Sequence, residues 1–131
     1  MLNAIRIYEQ GGPEVMRWES VDLPKLGSEE IRIRHTAIGL NFIDTYQRSG
    51  LYPLNPPCGL GKEAAGVVEE IGSAVKEFKK GDRVVYASGT SAYSEASQIV
   101  ANLVVPIPDD VKDEVAAASM LKGMTAEYLL R

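Results

Sequence analysis

The 131 residues carry 14 Lys+Arg against 18 Asp+Glu, a formal net charge of −4, with 45% hydrophobic and 24% charged side chains. That composition suits one ordinary globular domain rather than a two-domain enzyme, and its mild acidity excludes a phosphate-binding surface for nucleic acid, which needs clustered Lys and Arg. One Cys and one His exclude a disulfide framework and a Cys/His zinc site. The longest charge-free stretches, Ser49–Gly61 and Ala96–Pro108, contain prolines and fall short of the roughly 18 apolar residues of a membrane span. The N-terminal MLNAIRIYEQ has no apolar signal-peptide core, so a cytoplasmic location is expected.

In chain order, Leu2–Tyr8 reads as a strand ended by the Gly11-Gly12-Pro13 turn, and Val15–Val21 as a second. Glu30–Ile38 is the clearest strand: Ile31, Ile33, His35 and Ala37 share one face, while Arg32, Arg34 and Thr36 share the other. Asn41–Arg48 changes period. Phe42, Thr45 and Tyr46 fall at i, i+3 and i+4, Asn41 can cap, and Gly50 stops, which predicts a short helix. Leu51–Leu60, with Pro53, Pro56 and Pro57, reads as an irregular loop. Glu63–Ile71, Asp82–Ser88, Ala92–Val100 and Leu103–Ile107 are further strands, and their regular spacing points to a barrel or sandwich. After Pro108, Asp109 and Asp110 are candidate caps for a helix beginning near Lys112, which Gly123 should divide in two. That apolar helix reaches Leu129-Leu130 without a stop signal, which points to further chain downstream.

The most specific local pattern is Gly61-x-Glu63-x-x-Gly66, followed by Gly72-x-x-Val75 and Phe78-x-x-Gly81-Asp82-Arg83-Val84. Gly61 and Gly66 allow a turn or a close backbone approach. Glu63 is anomalous among Ala64, Ala65, Val67 and Val68, and a carboxylate there either has a partner or points to solvent. No phosphate-binding loop and no G-x-G-x-x-G after a strand is present. His35, sharing a face with Ile31 and Ile33, reads as a satisfied core histidine. Cys58 reads as a free thiol without a role, and Lys76, Lys79, Lys80 and Arg83 as a solvated turn.

These motifs resemble the medium-chain dehydrogenase/reductase superfamily. The segments Asn41-Phe-Ile-Asp-Thr-Tyr46, Arg48-Ser-Gly-Leu-Tyr52, Gly59-Leu-Gly-Lys-Glu-Ala-Ala-Gly66, Lys80-Gly-Asp-Arg-Val-Val-Tyr86 and Ala116-Ala-Ala-Ser-Met-Leu-Lys-Gly-Met-Thr125 resemble its zinc-free quinone oxidoreductases, related to zeta-crystallin. The resemblance implies a mainly β chain with short helices: a GroES-like, partly open β-barrel over residues 1–131. Residues 109–131 would form a helical region leading toward an absent Rossmann-type, NADPH-binding domain. It implies an NADPH-dependent quinone reductase, homodimeric when whole, and a domain inactive by itself. Where zinc members of the superfamily carry ligands, this chain has Asn41, Lys62 and, nearby, Leu121, which cannot reproduce a thiolate or imidazole set. The resemblance implies that Asn41, Tyr46 and Tyr52 act at the reacting groups, and that Asn41, Tyr46 and Thr125 contact the cofactor. Lys62 is either a cleft cation or a solvated lysine. Two other readings stay open: a stand-alone GroES-like barrel used for binding or assembly, and another zinc-free reductase such as an enoyl reductase.

Overall fold

A computed structural model describes all residues, Met1–Arg131. The strands are β1 (Leu2–Ile7), β2 (Arg17–Val21), β3 (Glu30–Gly39), β4 (Cys58–Gly59), β5 (Glu63–Ile71), β6 (Arg83–Tyr86), β7 (Ala96–Val100) and β8 (Val104–Pro106). The helices are α1 (Phe42–Ser49) and α2 (Asp113–Leu129). Two antiparallel sheets form, one in the order β2-β1-β4 and the other β7-β3-β5-β6-β8. They do not close into a continuous barrel. The segment between β6 and β7 joins them instead: Ile5 N–H donates to Tyr93 O at 2.8 Å and Glu95 N–H to Asn3 O at 3.0 Å. This is the mainly β, partly open architecture that the resemblance implies.

β3 shows the period of two directly. Ile31 and Ile33 are fully buried, and Arg34 and Thr36 on the other face are exposed. Its core face packs with Ala64, Val68, Val84, Tyr86, Ile99 and Val104, closed at one end by Val75 and Phe78. The exposed pairs Arg32–Glu70 and Arg34–Glu69 decorate the β3–β5 seam. At surface dielectric each contributes about 0–1 kcal/mol, so the buried apolar face, not the ion pairs, fixes the register.

β5 is buried on both faces, because α2 covers the side that the main core does not. Ala65 and Val85 pack there against Ile107, Ala116 and Ala117. Small residues in β5 permit this. A Cβ at Gly66 would lie 2.0 Å from Arg34 O, so the strands could not approach as they do with any larger residue. Asp113 pins the N-terminus of α2. Its carboxylate accepts from Thr36 Oγ1 at 2.7 Å and from Arg83 Nη2 at 2.6 Å, while Arg83 also donates to Val111 O. These bonds, Thr36 first and then Arg83, hold the Asp113 carboxyl below the usual carboxylate range.

Several boundaries differ from expectation for identifiable reasons. Pro13–Val15 forms a 3-10 turn, so the second strand begins only at Arg17. The proline-rich loop contains β4, because Cys58 and Gly59 find backbone partners in Ile7 and Arg6. β7 starts at Ala96 because residues 92–95 bridge the sheets. Asp109 and Asp110 do not cap α2. Lys112 is the N-cap without a side-chain bond, and Asp113 and Glu114 place negative charge in the first turn. Arg83 is not a solvated turn residue, since it anchors α2. Gly123 does not divide the helix: α2 runs unbroken through it, because one interior glycine costs only about 1 kcal/mol against a run of Ala, Leu and Met.

His35 is a satisfied, largely buried histidine, as expected. Its Nδ1 lies 2.7 Å from Ser94 O, so Nδ1–H donates, and Nε2 accepts within a cluster with Tyr86 Oη (3.0 Å) and Ser97 Oγ (3.1 Å). Burial lowers its pKa below 6.5.

Two measurements check these accounts. Gly66→Ala should destabilise the protein by about 3 kcal/mol through backbone overlap, whereas Gly123→Ala, whose Cβ meets nothing within 4 Å, should stabilise it by about 1 kcal/mol; urea midpoints moving in opposite directions are the expected result. The neutral His35 contributes stability that is complete above pH 6.5 and is lost as pH falls from 6.5 through its lower folded value. An NMR titration of His35 with a midpoint at or above 6.5 would contradict the buried network.

Candidate functional site

The site is assembled where β3 ends, α1 begins, β5 starts and α2 passes over them. Asn41 is the N-cap of α1, in extended conformation (φ −135°, ψ 150°). Three residues on, the Asp44 carboxylate accepts from Asn41 N–H at 3.1 Å, one arm of a capping box. At the far end Gly50 adopts φ +95° and stops the helix. The chain then doubles back, with Tyr52 N–H donating to Tyr46 O at 3.1 Å. Gln10 Nε2 clamps this turn by donating to Gln47 O (2.7 Å) and Tyr52 O (2.8 Å).

α1 is oriented opposite to its apparent amphipathicity. The Phe42, Thr45 and Tyr46 side faces outward, Phe42 being 79% exposed, while Asp44 is buried at 3%. Tyr93 Oη donates to the same Asp44 Oδ2 as Asn41 N–H, while Oδ1 is buried without a partner. Burial, together with the bond to Asp44 and its charge, pushes the Tyr93 phenol pKa well upward. With its polar side inside, α1 leaves its aromatic side free. Tyr46 and Tyr52 meet there edge to face, ring centroids 5.5 Å apart at 65°. Both rings are partly exposed, and neither phenol hydroxyl has a hydrogen-bond partner within the chain.

Glu63 resolves the anomaly in the sequence: it is fully buried and fully partnered. Oε1 accepts from Asn41 Nδ2 at 3.0 Å and from Lys122 Nζ at 3.4 Å, and Oε2 accepts from Leu121 N–H at 2.8 Å. Gly39, opposite Glu63 in the ladder, leaves the space it occupies; a Cβ at position 39 would lie 2.4 Å from Glu63 Cγ and 2.3 Å from Ala117 O. Lys122 Nζ donates in addition to Leu40 O (3.1 Å) and Asn41 Oδ1 (3.0 Å). Leu121, Lys122 and Thr125 lie on one side of α2 by helical spacing. Thr125 Oγ1 donates to Leu121 O at 2.9 Å and is exposed.

Asn41, Tyr46 and Tyr52 thus share one structural unit, α1 and its returning turn, and Asn41 is joined to α2 one turn before Thr125. Lys62 is half-buried and forms no ion pair; its carbonyl accepts from Gly89 N–H. Leu121 contributes a backbone N–H, not a side chain, to the network. Cys58 remains a free thiol whose pKa burial raises. Asp44, Tyr93 and Lys122 were not picked out by sequence. The Asn41-x-x-Asp44 spacing is a legible capping signal, but nothing local marks Tyr93 or Lys122 as partners of residues dozens of positions away.

Tyr93→Phe removes one of the two donors to the buried Asp44 carboxylate. It should cost about 2 kcal/mol and loosen α1 selectively, read as faster amide hydrogen exchange across Phe42–Ser49 than across β5. Uniform exchange rates in both elements would contradict this.

The alcohol dehydrogenase GroES-like domain model matches residues 27–130. The chain is 51% identical to a quinone oxidoreductase of Pseudomonas aeruginosa, across 100% of this chain and 41% of that protein. The crystal structure of a quinone oxidoreductase from Pseudomonas syringae pv. Tomato DC3000 superimposes with TM-score 0.97 at 49% identity, covering 100% of this chain and 41% of the other. That of Escherichia coli quinone oxidoreductase complexed with NADPH gives TM-score 0.96 at 48% identity, covering 98% and 40%. The chain spans about two fifths of the length of these relatives. With the match extending from the β2–β3 connection through α2, the chain belongs to the alcohol dehydrogenase GroES-like domain family.

Proposed function

We propose that this chain forms the substrate-side wall of an NADPH-dependent quinone oxidoreductase that acts on quinones or related conjugated carbonyls without zinc. Residues 1–131 would be its catalytic domain, and residues 109–131 would lead toward a Rossmann-type domain outside this chain that holds most of the cofactor. We place the whole protein in the cytoplasm as a homodimer; no helix here is long and apolar enough to cross a membrane.

The observation that carries this reading is a set of unpartnered donors on α1 and its returning turn, two of them on the outward aromatic face. The phenols of Tyr46 and Tyr52 and one Nδ2 hydrogen of Asn41 have no acceptor in the chain. Likeness to quinone oxidoreductases, one of them complexed with NADPH, gives that face its chemistry. Bound NADPH supplies the hydride. The protein's part is electrostatic. As a quinone oxygen gains charge, fixed N–H and O–H dipoles aimed at it stabilise the change without reorganising. Tyr46 and Tyr52 offer such donors on flat apolar rings suited to a planar ligand. Thr125, its hydrogen engaged by Leu121 O, keeps oxygen lone pairs free and would contact the cofactor as an acceptor.

The donor chemistry also supports the zinc-free reading. Asn41, Lys62 and Leu121 offer an amide, an ammonium and an alkyl group, and Glu63, one of two buried carboxylates nearby, already accepts three hydrogen bonds. No group of three or more His, Cys, Asp or Glu side chains gathers anywhere in the chain.

The test is steady-state NADPH oxidation by the intact protein with a simple benzoquinone. Tyr46→Phe and Asn41→Ala should each lower kcat/KM about tenfold to a hundredfold with unchanged circular dichroism, and prior chelation should leave turnover intact. Residues 1–131 alone should show no turnover. Unaltered kinetics in both variants, or activity that follows bound zinc, would overturn the proposal.

A further inference from the structure

An Asn side chain has two orientations related by a flip, and near a ligand only one of them presents its N–H outward. At Asn41 two groups of opposite charge select between them. Lys122 Nζ lies 3.0 Å from Oδ1, and Glu63 Oε1 lies 3.0 Å from Nδ2. Reversing the amide would set its N–H against an ammonium and its carbonyl oxygen against a carboxylate, so the flipped state is repelled at both ends. Both selecting groups are themselves held. Glu63 is fully buried and takes the Leu121 N–H, and Lys122 also donates to Leu40 O. One Nδ2 hydrogen is engaged by Glu63, which leaves the other directed away from that carboxylate and without an acceptor in the chain.

We infer that Glu63 and Lys122 are positioning residues that lock the Asn41 amide in one orientation, with its second Nδ2 hydrogen presented to the reacting ligands. The inference rests on the quinone reductase reading for the identity of those ligands, but the lock itself is a property of this chain. Glu63 and Lys122 touch no ligand in this scheme. The arrangement also polarises the amide: a cation on its oxygen makes the remaining N–H a stronger donor than a free amide supplies. Because Leu121 and Lys122 belong to α2 while Asn41 begins α1, a shift of α2 along its axis would release the donor. That ties the donor's placement to the docking of the helix that carries Thr125.

The experiment uses the intact protein labelled with ¹⁵N at asparagine. In the wild type the Asn41 side-chain amide should give two well-separated proton signals, one moved downfield by the carboxylate, with no exchange broadening. Lys122→Met, a change at a half-exposed position, should bring this pair toward the positions of an exposed amide such as Asn55. Lys122→Arg, which keeps a donor for Oδ1, should restore much of the separation. Glu63→Gln should also alter the pair, and if it proves unstable Lys122→Met carries the test. With NADPH and a benzoquinone, Lys122→Met should lower kcat and kcat/KM together about tenfold with little change in KM, as for an interaction made in the transition state. Unmoved Asn41 signals in Lys122→Met overturn the lock. Moved signals with unchanged kcat overturn its role in positioning. A wild-type protein with the separated signals but no quinone turnover supports the lock and overturns the proposed substrate instead.

Discussion

A single buried carboxylate organises this domain. Glu63 has no exposed surface and opens a strand whose next five residues are alanine, glycine and valine. Left unpaired, an ionised group in such a place costs several kcal/mol, a large fraction of a domain's net stability. The fold supplies three donors from two elements: the Asn41 amide at the start of α1, and the Lys122 ammonium and Leu121 backbone of α2. Meeting the needs of one oxygen pair therefore requires that the β3–α1 corner and the long helix both arrive at the same point. Lys122 is about half exposed, so its Coulomb attraction is weakened by solvent, and the shorter bonds from Asn41 and Leu121 dominate.

The small residues follow from the same demand. Gly39 leaves room for the Glu63 side chain and lets the Ala117 carbonyl approach; Ala65, Ala116 and Ala117 let α2 lie close on β5. Arg83 and Asp113 fix the other end of the helix, so that α2 is held at its first turn by charge-assisted bonds and at mid-length by Glu63. Beyond Lys122 the helix projects, with Met124, Tyr128 and Leu129 exposed. The site thus lies where the helix leaves the sheet.

A second buried carboxylate shapes the ligand-facing surface. Asp44 turns the polar side of α1 inward, toward Tyr93 and the Asn41 N–H, and so turns Phe42 and Tyr46 outward. An aromatic face open to solvent is costly for a domain in isolation and useful for one that holds planar ligands. The edge-to-face contact of Tyr46 with Tyr52, clamped by Gln10 from a distant turn, orders the two rings before any ligand arrives.

Much of this was legible in the residues. The alternation in Glu30–Gly39, the short helix ended by Gly50 and the β5 boundaries depend on local periodicity and local backbone freedom, which sequence reports directly. The resemblance named Asn41, Tyr46, Tyr52 and Thr125, and the structure places the first three on one unit and the fourth on the helix that unit contacts. Sequence could mark Glu63 as anomalous but not say which of two fates it met, because its partners lie 22 and 59 positions away. Nor could it show which side of α1 faces inward, since Asp44's partner Tyr93 lies 49 residues on. It divided α2 at Gly123 because local propensity cannot see that the flanking residues outweigh one glycine. By itself, then, the sequence determined the elements and the chemical types available to the site. Only the tertiary structure decided which polar groups are buried together, because pairing a charge inside a protein depends on through-space distances of about 3 Å that no local pattern encodes.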